Sequence, residues 1–290
     1  MSLLNASQPE IEALMKHIMT LDIEAWYHTN FPNFDYRQYL GKVNDLILPQ
    51  ANQILDFLDE LDNKATFFIL GEIAESYPEL VKNIHSRGHE VASHFMHHEL
   101  VYEMSSQRFK DELKQGIDLL QQLIGYKVLG FRAPSWSVTI EKTPWFWEIL
   151  AEEGIIYSSS RIPFKTYMYG DQKSPLFAHT IETKVNPVWE FPPSCLRLVG
   201  KTIPFSGGFY LRALPEMLIR KGIKWFEKQN EPVIFYLHPK EIDPTTPHLP
   251  VGFRDKLIHS FGTKGFLPKL RRILGSLQTI SFAEFLQTKK

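Results

Sequence analysis

Short apolar runs alternate with longer amphipathic stretches along most of the chain. Apolar runs bounded by turn residues read as buried strands, and apolar residues recurring every third or fourth position read as helices that cover one face. Strands are expected at 17–24 (HIMTLDIE), 64–70 (KATFFIL), 89–94 (HEVASH), 127–134 (KVLGFRAP), 155–160 (IIYSSS), 188–194 (VWEFPPS), 201–207 (KTIPFSG) and 232–239 (PVIFYLHP). Helices are expected at 48–62 and 105–125. In the second, Phe109, Leu113, Ile117, Leu120 and Ile124 form the apolar stripe and Gly125 supplies the stop. The alternation predicts repeated βα units and a largely parallel sheet, an α/β protein of one domain. Residues 161–187 lack a period and hold Pro, Gly and Asp, which predicts a long loop.

Composition narrows the class. A chain of 290 residues is long for one domain but within the range of α/β barrels. The apolar fraction of 43% and charged fraction of 22% are those of an ordinary globular protein. With a net charge of -1 and one basic run, Lys269-Leu270-Arg271-Arg272, which fits the solvent face of an amphipathic helix, no nucleic-acid partner is expected. The single Cys195 excludes an intramolecular disulfide and suits a reducing compartment. The N-terminus has no basic start followed by an apolar core, and no stretch reaches the ~20 apolar residues of a membrane helix, so cytoplasmic residence is expected.

The chemically pointed residues share one placement. Asp22, Glu24, His94, Arg132, Glu190 and His238 all fall at or just beyond the C-terminal ends of expected strands, the edge where α/β proteins gather ligands and catalytic groups. Asp22 and Glu24 are two apart on one strand and face the same side, which is costly without a cation or a proton between them, unless the strand simply emerges into solvent. In "SHFMHHEL" His94 and His98 stand four apart. On a helical turn they project from one face and suit a shared ion; a solvated polar turn is the bland alternative. The nearby His89-Glu90 begins like the zinc-protease HExxH, but the second histidine falls one residue late, so that chemistry is rejected. Arg132, in the apolar "GFRAP", needs an acceptor such as Asp22, or else lies on the surface with a packed stem. His238 ends the apolar "VIFYL" and is either a hydrogen-bonded core histidine or a catalytic one whose pKa is tuned by Glu190 or Asp243. Gly207-Gly208 permits a close backbone approach to a ligand, or is a plain turn.

In order, "TLDIE", "KATFFILGEIAESYPELVKNIHSRGHEVASH", the HxxxH of "HFMHH", "FRAPSWS", "EFPPS", "PFSGGFYLR" and "FYLHPKEID" resemble the polysaccharide deacetylase family, the NodB-homology domain of carbohydrate esterase family 4. The flavour is that of the branch associated with exopolysaccharide and O-antigen loci. The resemblance implies a distorted (β/α)7-type barrel over residues 16–290, after an N-terminal extension of 1–15, and a divalent metal, commonly zinc. It implies hydrolysis of an N-acetyl group from a sugar or glycan intermediate, with His94 and His98 as metal ligands, Asp22 as general base, Arg132 holding that aspartate and His238 as general acid. The family's usual second aspartate is replaced by Ile23, so the metal carboxylate is expected to be Glu24 unless Asp22 itself serves. Trp136, Trp189, Glu190, Gly207 and Tyr210, with Trp26, are the expected substrate contacts, though each aromatic also suits the core. A same-fold amidohydrolase on a small non-sugar amide, of the allantoinase kind, and a non-catalytic sugar-binding protein are the rival readings. The lack of an export signal in this sequence favours a small or lipid-linked substrate over an external polymer.

Overall fold

The computed structural model describes residues 15–166, 170–198 and 200–289. The expected extension 1–15 lies outside the described residues except for Met15. Eleven strands are described: β1 His17–Ile23, β2 Thr66–Ile69, β3 Glu90–Ser93, β4 Gly130–Phe131, β5 Tyr157–Ser158, β6 His179–Ile181, β7 Val188–Glu190, β8 Cys195–Leu198, β9 Lys201–Pro204, β10 Ile234–Leu237 and β11 Thr279–Ile280. The helices are α1 Ile47–Glu60, α2 Gly71–Ser76, α3 Pro78–Ser86, α4 Ser106–Ile124, α5 Phe146–Glu152, α6 Gly208–Ala213, α7 Glu216–Lys228, α8 Phe253–Ser260, α9 Phe266–Leu274 and α10 Phe282–Gln287.

Nine strands form one curled sheet in the order β10-β1-β2-β3-β4-β5-β7-β6, with β11 also on β1. All its pairings are parallel except β6 against β7. The sheet is a half-barrel. Between its β7 side and β10 there is no ladder; the Ser194 hydroxyl accepts from the Ile234 N–H, and Gly207 bridges to Tyr236. Gly207 is required there because a Cβ would lie 2.2 Å from the Tyr236 carbonyl oxygen.

Strand parity divides the core. On β1, Met19, Leu21 and Ile23 join the large cluster under the helices, while Ile18 joins a smaller inner cluster with Phe68, Ala92, Tyr157 and Ile234. Successive side chains on a strand point to opposite faces, so Thr20 and Asp22 continue the Ile18 face into the half-barrel. The end of that inner face is plugged by α10 through Phe282, Phe285 and Leu286. The long α4 buries Phe109, Leu113, Ile117 and Leu120. Ser105 accepts from the Arg108 N–H at its start, and Gly125 at φ +75° ends it.

The sequence reading departs from the structure at several elements, the unexpected β8 and β11 among them. β4 and β5 are only two residues each. The 201–207 segment gives β9, which pairs antiparallel with β8 in a separate hairpin rather than joining the barrel sheet. Residues 161–187 are not all loop, since β6 adds an antiparallel edge to β7. Lys269 does not point into solvent: its ammonium is half-buried and donates to the carbonyls of Leu211, Arg212 and Leu214, neutralising oxygens at the end of α6.

Candidate active site

The parity that turns Asp22 inward also sets the floor of a cavity of about 430 Å³, lined by Asp22, Glu24, His94, His98 and His238. Arg132, one residue past β4, is fully buried beneath it. Its Nη1 donates to Asp22 Oδ1 at 2.6 Å and to Thr20 Oγ1 at 2.9 Å. Nη2 and Nε donate to the Ser159 hydroxyl and carbonyl, and the guanidinium lies 4.2 Å from the centre of the Phe68 ring. A buried guanidinium is tolerable only when its fork is filled in this way.

Glu24, just past β1, is 2% exposed, with Oε2 at 2.9 Å from His98 Nε2 and 3.7 Å from His94 Nε2. His94 Nδ1 lies 2.8 Å from the Arg132 carbonyl, which can only accept, so Nδ1 carries the proton. With Nδ1 donating outward, Nε2 faces Glu24 Oε2, which receives no well-aligned hydrogen bond although His98 Nε2 stands 2.9 Å away. Acceptors facing each other in a buried site fit a cation between them, with an outer hydrogen bond fixing the imidazole as metal-ligating histidines require. The ligand atoms of Glu24, His94 and His98 all lie within 4.8 Å of one another, a possible metal site. Burial pulls the His98 pKa below its ordinary value despite Glu24. Burial also opposes charge on Glu24, but His98 and His238 hold its carboxyl well below the usual range.

The two histidines do not share a helical turn. Residues 94–100 form a bent loop, and Phe95 at φ +78° reverses the chain so that both rings meet Glu24. His97 is directed away, 41% exposed, with Nδ1 at 3.7 Å from Glu72.

His238 follows β10 on the same inward parity as Tyr236. Its Nε2 lies 3.6 Å from Glu24 Oε1 and 3.8 Å from Asp22 Oδ2, and its Nδ1 lies 3.7 Å from Glu241 Oε1. The expected partners are not there. Asp243 accepts from Gln50 and Thr245 instead. Glu190 has the parity of Val188 and faces outward, accepting from the Ser160 and Arg161 N–H groups and from the Trp147 indole. Glu241 takes the role sequence reasoning had missed, backed by the buried Arg212 at 3.3 Å. The signal was present as an acid three residues after the histidine in "HPKE"; Arg212, distant in sequence, had none. Burial alone would lower the His238 pKa, but Glu24 and Glu241 raise it above its ordinary value.

Of the expected substrate contacts, Trp136 and Tyr210 line the cavity. Ser135 and Trp136 are consecutive left-handed residues, φ +53° and +46°, a strain of about 1–3 kcal/mol each that concentrates at functional sites. Gly207 packs on Tyr236 instead, Trp189 stacks on Phe191 in the inner cluster, and Trp26 is buried with its indole on the Asn44 carbonyl. Glu190, as above, is structural.

Residues 43–144 match the family model for polysaccharide deacetylase, and 159–288 match a domain described as of unknown function, DUF3473. A peptidoglycan-N-acetylglucosamine deacetylase of Bacillus cereus is 31% identical over 32% of this chain and 34% of its own. A Mycobacterium smegmatis crystal structure assigned to polysaccharide deacetylases superposes with TM-score 0.62 at 18% identity, covering 98% of this chain and 92% of that one. The PuuE allantoinase superposes at 0.56 with 15% identity, covering 93% and 88%. The matched stretch spans about half or less of the curated relatives' length. The fold is that of the NodB-like (β/α)7 barrel, and family model and relatives together support the polysaccharide deacetylase (NodB/CE4) family. The deacetylase match includes His94, His98 and Arg132 but neither Asp22, Glu24 nor His238, so the outer motifs rest on geometry. No described helix is long and apolar enough to cross a membrane.

Arg132→Ala leaves a buried Asp22 uncompensated and should lower stability by about 3–5 kcal/mol in urea unfolding. A loss under about 1 kcal/mol would mean that Asp22 finds its compensation elsewhere.

Proposed function

We propose that residues 16–290 form the catalytic domain of a metal-dependent hydrolase that removes an N-acetyl group from a sugar or glycan intermediate of polysaccharide assembly. One observation carries the reading: an arginine-held carboxylate, a cation-fitting trio and a histidine within 3.8 Å of two carboxylates meet at one cavity floor. Two imidazoles and one carboxylate are a donor set suited to zinc. A divalent ion held by Glu24, His94 and His98 would polarise the acetamide carbonyl and acidify water toward neutral pH.

The protein's own groups do the rest. Arg132 occupies Asp22 Oδ1 and fixes the carboxylate, leaving Oδ2 toward the cavity to take a proton from the attacking water. As the C–O bond forms and the C–N bond breaks, the amide nitrogen departs only if protonated. His238 Nε2, near both carboxylates, is placed to deliver that proton. Glu241 faces its other nitrogen, orienting the ring and favouring the acid form. Trp136 and Tyr210 offer ring faces to a sugar. Products are acetate and the free amine.

Acetate release from a panel of N-acetyl sugars, with allantoin as the non-sugar control, tests the reading; turnover of allantoin alone would replace it with the amidohydrolase one. His238→Ala should fold normally and lose ~10²–10⁴ of amide turnover, with a smaller loss on an activated acetyl ester whose leaving group needs little protonation. Equal losses on both would assign His238 a structural role. In Glu241→Gln one charge that raises the His238 pKa is gone. The acid form then disappears at lower pH, so the alkaline fall of kcat should move to lower pH. An unmoved profile would remove Glu241 from the proton transfer.

A further inference from the structure

The cavity wall above the floor is unlike the floor. Among the described residues its lining carboxylates are Asp22, Glu24 and Glu241, which face Arg132, Lys240 and Arg212 respectively. Two further cations line it, Lys165 and Arg254. Lys165 and Arg254 are exposed, so this charge stands at the mouth. A wall of that sign favours an anionic group on whatever enters.

The mouth is also apolar in a particular way. Phe209 and Leu257 line it, and the Phe209 ring lies 6.1 Å from that of Phe261. From there the surface runs along α8 to Phe253, which is 84% exposed, while Phe261 is 49% and Leu257 39% exposed. Phe253, Leu257 and Phe261 recur every four residues, and between the first two lie exposed Arg254 and Lys256 with the half-buried Asp255. Phe253, Leu257 and Phe261 give a glycan's hydroxyls no hydrogen-bond partner. Apolar side chains interleaved with cations match the acyl–headgroup boundary of an anionic lipid layer.

The geometry points to a substrate whose N-acetyl sugar is carried on the phosphate ester of a lipid: the sugar enters the cavity, the wall cations meet the phosphate, and the Phe253–Phe261 face of α8 rests in the lipid surface. This rests on the deacetylase reading for the sugar and on α8 alone for the lipid.

The test uses the full chain and vesicles of phosphatidylcholine, pure or mixed with phosphatidic acid, with N-acetylglucosamine 1-phosphate as the soluble anionic sugar. The chain should sediment with the mixed vesicles, less with the pure ones, and be released by salt. Phe253→Asp, at so exposed a position, should keep the wild-type melting temperature and weaken vesicle binding by about tenfold or more. Absence of vesicle binding overturns the proposal, as does equal binding by Phe253→Asp. Binding of the soluble sugar phosphate without vesicle binding retains the anionic group and overturns the lipid. A wild-type dimer that Phe253→Asp dissociates would assign the face to a second copy of the chain. Acetate release is scored separately, on N-acetylglucosamine carried on a lipid phosphate in the same vesicles, so a chain that binds vesicles yet releases no acetate overturns the deacetylase reading alone.

Discussion

Arg132 is the residue on which the site depends. Its side chain ties β1 through Thr20 and Asp22 to the end of β5 through Ser159, and packs on Phe68 of β2. Its carbonyl fixes the tautomer of His94 beyond β3. One buried cation thus sets the relative positions of the strand ends that form the floor. The polar rim must be satisfied internally because these groups are removed from water, and an unfilled guanidinium there would cost more than most folds can spare.

Charge pairing separates two carboxylates that the sequence left interchangeable. Asp22 is compensated by Arg132, and Glu241 by Arg212. Glu24 has imidazoles and the ammonium of Lys240 at 3.7 Å, but no arginine and no well-aligned hydrogen bond on Oε2. The carboxylate with a resident arginine suits proton transfer, and the one without suits a cation. Ile23, between Asp22 and Glu24, has outward parity and its side chain is part of the core beneath the helices, so it brings no group to the cavity.

Much of this was legible in the chain. Parallel strands buried on both faces appear as apolar runs, and their last inward positions carry Asp22, Arg132 and His238. Counting strand ends without parity misled at Glu190: Val188 and Glu190 share the outward face, and Trp189 points inward, a pattern available in "VWE". The convergence of His94 and His98 was expected from helical spacing but is produced by left-handed Phe95, a backbone reversal that no residue type at that position announces. The support of His238 by Glu241 and Arg212 spans β10, the turn after it and α6, and long-range pairing of that kind has no local signature. β6 and β8 were hidden because short edge strands take their order from their neighbours rather than from their own propensity.

The central claim is that Glu24 binds a metal and Asp22 does not. Zinc titration of the full-length wild type, Glu24→Gln, His94→Ala and Asp22→Asn, followed by equilibrium dialysis and elemental analysis, decides it without reference to turnover. The account predicts one ion per chain in the wild type and in Asp22→Asn, with affinity down by about 10-fold or more in Glu24→Gln and His94→Ala. Retention of the ion by Glu24→Gln with its loss from Asp22→Asn would contradict the account.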